Sequence, residues 1–221
     1  MQRSGSGSWR FAHDVDQVTH ALLFLRDSLR LAIEPARGIP PHLEGDVPDR
    51  SDVLGQSDRW EVTKEWPGWW SSLVSVEARH NLGVVRTGRA LTLSSLKDEL
   101  TSVVDPPEWS SLADRPKLRC AAQQLVAEGC RWANARLPSL RPPRNRTLFE
   151  WRMTRDVAEA VAREHDTSVG ALNGCALILL VDEVWWETLS PGVALCSASA
   201  AADPVASESI LREVFGSYLA G

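Results

Sequence analysis

The sequence predicts a mainly α-helical protein with a helical bundle-like body and a small β hairpin near the C-terminus; an α+β arrangement is the alternative. Segments 14–33, 115–136 and 203–219 carry the helical prediction, because apolar residues recur there at spacings of three and four. The apolar run 175–181 and the turn signal Ser190-Pro191-Gly192 carry the β prediction.

Composition narrows the class of protein. A chain of 221 residues suits one domain, and a net charge of -5 disfavours general binding to nucleic acid or anionic membranes. Basic charge is nearly all arginine, as is typical of high-GC bacterial coding. Four cysteines without zinc-ligand spacing indicate reduced thiols, hence a cytoplasmic protein without a cofactor. The longest apolar run, 175–181, is too short to cross a membrane.

The first two thirds of the chain are predicted to be helical. Residues 1–10 are rich in serine and glycine and predict a flexible leader. Helix 14–33 follows, and Pro35 closes it. Region 11–137 is interrupted by a long loop, 34–68, with many prolines and glycines, eight acidic residues and tryptophans at its end.

A possible metal site lies in the predicted helix 69–82. Glu77 and His80 are three residues apart, so they share one helix face, as in di-iron carboxylate bundles. His13 and Asp16 could complete such a site. The alternative is an exposed polar helix face, since no second Glu-x-x-His motif occurs in the chain.

Arginines dominate the segment that follows. A short helix within 91–104, capped by Ser94 or Ser95, precedes helix 115–136, and 138–148 forms a proline and arginine linker. Seven arginines and one acid occupy 131–155, together with aromatic residues. This composition suits a solvated face, docking onto the acidic loop of the same chain, or contact with an external partner. The candidate binding residues are Arg141, Arg144, Arg146, Trp151 and Arg152.

The C-terminal region, 149–221, is predicted to be α+β and to pack on the same core. Helix 154–164, a turn at His165-Asp166 and a second helix from Ser168 to Ala176 give helix–turn–helix spacing. DNA binding through 154–176 is therefore one alternative function. Asn173 is the one side chain of the second helix suited to base recognition.

The residues Thr167-Ser168-Val169-Gly170 locally resemble the nucleophile elbow of patatin-like phospholipases. The resemblance covers about seven residues and implies Ser168 as the nucleophile of a serine hydrolase. The elbow has a glycine where this sequence has Asp166. The alternative interpretation is that Thr167 or Ser168 caps the following helix.

The remaining elements are an apolar segment at 176–181 that suits a buried strand or a helix end, a second strand at 193–196, and a last helix from Asp203-Pro204 to Leu219. No complete catalytic constellation is evident, whereas tryptophan and arginine are common interface anchors. The sequence therefore favours a non-enzymatic regulatory or interaction protein that binds a protein partner or a second copy of itself.

Overall fold

A computed structural model describes residues 9–34, 36–87, 99–140 and 148–220, without the side chains of 139 and 140. The helices are α1 (Gln17–Ser28), α2 (Gln56–Thr87), α3 (Pro116–Arg136), α4 (Trp151–Glu164), α5 (Ala198–Ala202) and α6 (Pro204–Ala220). The strands are β1 (Arg10–Asp14), β2 (Asn173–Leu179), β3 (Trp186–Ser190) and β4 (Val193–Ser197). The described residues are mainly helical, with one four-stranded sheet, which confirms the prediction of a mainly helical chain with some β structure.

The sheet is larger than the predicted hairpin. Its strand order is β1-β2-β4-β3, in which β1, β2 and β4 are parallel and β3 is antiparallel to β4. The predicted turn at Ser190-Pro191-Gly192 does connect two strands, but they are β3 and β4. The apolar run that was expected to be one arm of the hairpin is instead β2, the strand between β1 and β4.

Helices cover both faces of the sheet. Leu177 and Leu179 of β2 pack against the core of α1, α2 and α3, whereas Ala176 and Ile178 pack against α4 and α6. Strands buried on both faces are continuously apolar, which explains why β2 shows no alternation. A helical bundle-like body is not confirmed, because the helices are divided between two layers with the sheet between them.

The first helix is shorter than predicted at both ends. A strand precedes it, and it ends at Ser28, before Arg30 with its positive φ of 53°, so Pro35 does not close it. Arg10, the last residue of the predicted leader, begins β1, and residues 1–8 lie outside the described residues. Asp16 caps α1: its Oδ2 accepts the backbone N–H of Thr19 at 2.6 Å. The helix therefore begins at Gln17 and not at Asp14.

Helix α2 contradicts the predicted end of the acidic loop. The loop ends at Gly55, and α2 continues through Pro67, which was expected to interrupt it. A proline inside a helix costs about 3 kcal/mol. This helix carries Trp66, Trp69 and Trp70, whose side chains are fully buried. Burial of one tryptophan contributes about 4 kcal/mol or more to the stability of the fold. Tertiary packing therefore outweighs the local cost.

The other helices agree more closely with the sequence. Helix α3 matches the predicted 115–136, and α6 matches the predicted last helix, although Val205 is exposed and does not point inward. Most of the helix expected within 91–104 falls on residues 91–98, which lie outside the described residues. None of the described helices is long and apolar enough to cross a membrane.

Gly129 permits the close approach of α3 to α1. A Cβ atom at this position would lie 2.9 Å from the Cα of Ala21. We expect Gly129→Ala to lower the free energy of unfolding by about 1–2 kcal/mol, because overpacking exceeds the gain in helix propensity. Gly68→Ala in α2 is the matched control, since a Cβ there meets nothing within 4 Å. Urea unfolding of both variants tests this, and a stabilised Gly129→Ala would contradict it.

Candidate functional site

A groove runs along the outer edge of β1. Its volume is about 530 Å³. The lining comes from both helical layers and from the strand between them. The residues that line it are Trp9, Arg10, Phe11, Ala12, Val84, Val85 and Trp151. The groove is therefore mainly apolar, and Arg10 is the charged residue in its lining.

The backbone of β1 faces this groove on one side. The N–H of Arg10 donates to the carbonyl of Leu172 at 3.0 Å, so Arg10, Ala12 and Asp14 direct their peptide groups toward β2. The alternate residues, Phe11 and His13, consequently direct their N–H and C=O groups away from the sheet. Among the described residues, none forms a backbone hydrogen bond with this outer edge.

Trp151 forms the most exposed wall of the groove. Trp151 is the first residue of α4, and its side chain is 61% exposed. The ring of Trp9 lies 6.1 Å from it, centroid to centroid, and the guanidinium of Arg155 lies 5.4 Å from its centroid. Trp9 in turn makes an edge contact with the buried Phe215, with the ring centroids 6.4 Å apart.

Arg10 closes the groove at the start of β1. Its Nη1 donates to the carbonyl oxygens of Val85 (3.2 Å) and Arg86 (2.7 Å) in the last turn of α2. A cation beside the carbonyls of a helix's last turn is favourable, because this end of the helix dipole is negative. Arg10 thus attaches α2 to the edge strand and, with the exposed Arg86, makes this end of the groove basic.

The structure separates the predicted binding residues. Trp151 lies in the groove, but Arg152 lines a neighbouring depression with Glu150, Asp156 and Glu208. Arg141, Arg144 and Arg146 lie outside the described residues. Nearer the start of this segment, Trp132 Nε1 and Arg136 Nη2 each donate to the backbone carbonyl of Asp46 at 3.3 Å. Whether the arginines of 141–146 dock on the acidic loop stays a prediction.

Ser168 does not stand at a nucleophile elbow. It is exposed, and it lies between α4 and β2, so the chain passes from helix to strand and not from strand to helix. Its Oγ accepts the N–H of Gly170 at 3.3 Å and caps the 3₁₀ turn Val169–Ala171. This is the capping interpretation of the motif, with a single turn in place of a full helix.

The predicted second helix of a helix–turn–helix is wrong. Residues Asn173–Leu179 form β2, an inner strand of the sheet. Within the predicted second helix, 168–176, the helical residues are those of the single 3₁₀ turn Val169–Ala171. Asn173 is half-buried at the start of β2, and its amide nitrogen donates to Tyr218 Oη at 3.1 Å. The expected recognition helix is therefore absent from 168–176.

Glu77 and His80 do not meet His13 and Asp16 as a metal centre. Among the described residues, no three His, Cys, Asp or Glu side chains are placed to hold a metal ion. Glu77 is 4% exposed, and its surroundings are acidic. Burial, followed by the charges of Asp16 and Asp14, raises the pKa of Glu77 to about 8. Its carboxyl group is thus mainly protonated at neutral pH.

Sequence reasoning missed a buried ionic network at the end of α1. Arg26 and Asp27 are each 3% exposed and form two hydrogen bonds with one another, of 2.6 and 3.1 Å. Arg26 also donates to the carbonyls of Pro40 and Pro41, and Asp27 accepts the N–H of Leu43. The sequence signal that could have indicated this network is the pair of adjacent, opposite charges directly after the apolar run 21–25.

His42 extends this network to the surface. Its Nδ1 lies 2.8 Å from Asp27 Oδ1, and its side chain is 80% exposed. An aspartate that orients a histidine is part of many general-base sites. The adjoining cavity of about 320 Å³ has no serine, threonine or cysteine among its described lining residues. The network therefore anchors the 40–43 loop to α1 without forming a nucleophilic triad there.

No protein-family model, curated protein or solved structure matches this chain.

Proposed function

We propose that this protein is a non-enzymatic interaction component that binds a protein partner through the groove at the outer edge of β1. The observation that carries the proposal is the exposure of Trp151 beside Trp9, with Arg155 over its ring. Tryptophan and arginine are enriched among the residues that dominate binding energy. Aromatic side chains have few rotatable bonds and therefore lose little conformational entropy on binding.

The alternatives receive less support from the described residues. Ser168 has neither an elbow nor a described base within hydrogen-bonding distance, and the recognition helix required for DNA binding is a buried strand. A partner that inserts an apolar side chain between Trp151 and Val84 would bury surface that now faces water. Burial of apolar surface is the main favourable term in association.

Trp151→Ala is expected to weaken partner binding at least tenfold, which corresponds to about 1.4 kcal/mol or more. The probe is a library of random peptides displayed on phage and selected on the wild-type protein. The affinity of each enriched peptide for the wild type, for Trp151→Ala and for a control variant, Trp60→Ala, is then measured by fluorescence anisotropy.

Trp60→Ala is the matched control. Trp60 is also 61% exposed, but it lies about 37 Å from Val85 along α2 by helical rise. The proposal fails if no peptide is enriched, or if both variants bind the enriched peptides as tightly as the wild type does.

A further inference from the structure

We propose that the partner contributes an extended segment that adds to β1 as a fifth strand, with apolar side chains in the groove and an acidic side chain near Arg10 and Arg86. This inference rests on the proposed function and specifies the chemistry of the partner. It also predicts the mode of binding, in which the main chain supplies hydrogen bonds and alternate side chains supply specificity.

The outer edge of β1 supplies the main-chain groups. Phe11 and His13 direct their N–H and C=O groups outward, because Arg10, Ala12 and Asp14 are the residues that pair with β2. An exposed strand edge is a template for another strand. The groove lies along this same edge, so a strand that pairs with Phe11 and His13 would also contact Trp151 and Val85.

The two sides of the groove determine the side chains of the segment. In an added strand, successive side chains point to opposite faces. One face would meet Trp9 and Trp151 of the α4 and α6 layer, and the other would meet Val84 and Val85 of α2. Both surfaces are apolar, so a segment with aromatic or branched apolar residues at consecutive positions fits best.

The charge at one end favours an acidic residue. Arg10 and Arg86 stand together at the start of β1, and no ion pair joins either of them to another described residue. Asp14 stands at the other end of the strand. The segment is therefore expected to be polarised, with its carboxylate near Arg10, and that polarity would fix its register along the edge.

His13→Pro tests the strand addition. Proline removes the outward N–H of residue 13, while the hydrogen bonds of Ala12 and Asp14 to β2 remain possible, as at the edge strands where proline is tolerated. His13→Ala is the matched control, because it removes the same side chain and keeps the N–H. For the tightest-binding displayed peptide, resynthesised, we expect His13→Ala to bind within about threefold of the wild type and His13→Pro to bind at least about tenfold more weakly.

Two further measurements keep the test independent of the stability of the proline variant. The same peptide, N-methylated at alternate backbone nitrogens, should lose at least about tenfold in affinity for the wild type in one of its two methylation phases. Arg86→Glu should weaken binding of an acidic peptide and strengthen binding of its lysine-substituted counterpart. Circular dichroism confirms that each variant is folded.

The outcomes separate this inference from the proposed function. Suppose that Trp151→Ala weakens binding, that His13→Pro and His13→Ala bind the peptide equally, and that both methylated peptides bind the wild type as tightly as the unmodified peptide does. The groove then binds a partner, and strand addition is wrong. If the wild type forms a dimer that His13→Pro dissociates, a second copy occupies the edge and the acidic-segment assignment is wrong. If Trp151→Ala has no effect, the proposed function itself fails.

Discussion

Asp27→Ala is expected to lower the free energy of unfolding by about 3–5 kcal/mol at neutral pH, because it leaves the buried guanidinium of Arg26 without its anion. Asp27 also accepts the N–H of Leu43 at 2.7 Å and contacts His42, so the substitution releases the 40–43 loop as well. Urea unfolding followed by circular dichroism measures the change.

The chain contains a matched control for this prediction. Arg155 and Asp156 are likewise adjacent in sequence and hydrogen-bonded at 2.9 Å, but their side chains are 44% and 64% exposed. Asp156→Ala should change stability by about 0.5 kcal/mol or less, since exposed ion pairs contribute little. Comparable losses for Asp27→Ala and Asp156→Ala would show that the burial of the first pair does not determine its energetic role.

A double replacement distinguishes loss of the pair from loss of one partner. Arg26→Met with Asp27→Leu removes both charges and should recover part of the stability lost in Asp27→Ala, because an apolar pair leaves no uncompensated charge. The carbonyls of Pro40 and Pro41 lose their donor in this variant, so recovery is expected to be incomplete.

Glu77→Gln is expected to stabilise the protein by about 3 kcal/mol at pH 7, with a gain that depends on pH. The pKa of Glu77 is raised from 4.5 to about 8 in the folded protein. The unfolded chain therefore ionises this group more readily, and the wild type loses stability as pH rises from about 4.5 to about 8. Glutamine does not ionise, so the variant lacks this part of the pH dependence. The gain should vanish near pH 4.

Urea unfolding of wild type and variant at several pH values between 4 and 9 tests this prediction. Glu159→Gln, at an exposed position of α4, serves as the control and should follow the wild-type profile. Parallel pH profiles for the wild type and Glu77→Gln would mean that the carboxyl group of Glu77 ionises in the folded protein as readily as in water.

Helices with one buried face were predictable from the sequence. The buried residues of α3 include Leu118, Leu125 and Trp132, at the positions that the helical period indicates. Strand β1 was not predictable in this way, because five residues with one apolar pair carry too little pattern. Strand β2 was ambiguous, since an apolar run buried on both faces has no period of its own. The continuation of α2 through Pro67 depends on tertiary burial of tryptophans, which local propensity does not include.

Only part of the candidate groove could be predicted from the sequence. Trp151 was identified from its arginine and aromatic surroundings. Trp9, Val85 and Trp151 come from distant parts of the chain, however, and only the position of β1 at the edge of the sheet brings them together. The division of the chain into a leader, a helical region, a linker and a C-terminal region remains a prediction.

The pairing of β1 with β2 also has a kinetic consequence. Arg10 pairs with Asn173, so most of the chain must be synthesised before the first strand can find its neighbour. Closure of so long a loop carries a large entropic cost, and contacts of this range slow folding. During synthesis, the apolar residues of β1 and the first helices are exposed while β2 is still absent. Strand β1 therefore cannot join the sheet until β2 has been synthesised.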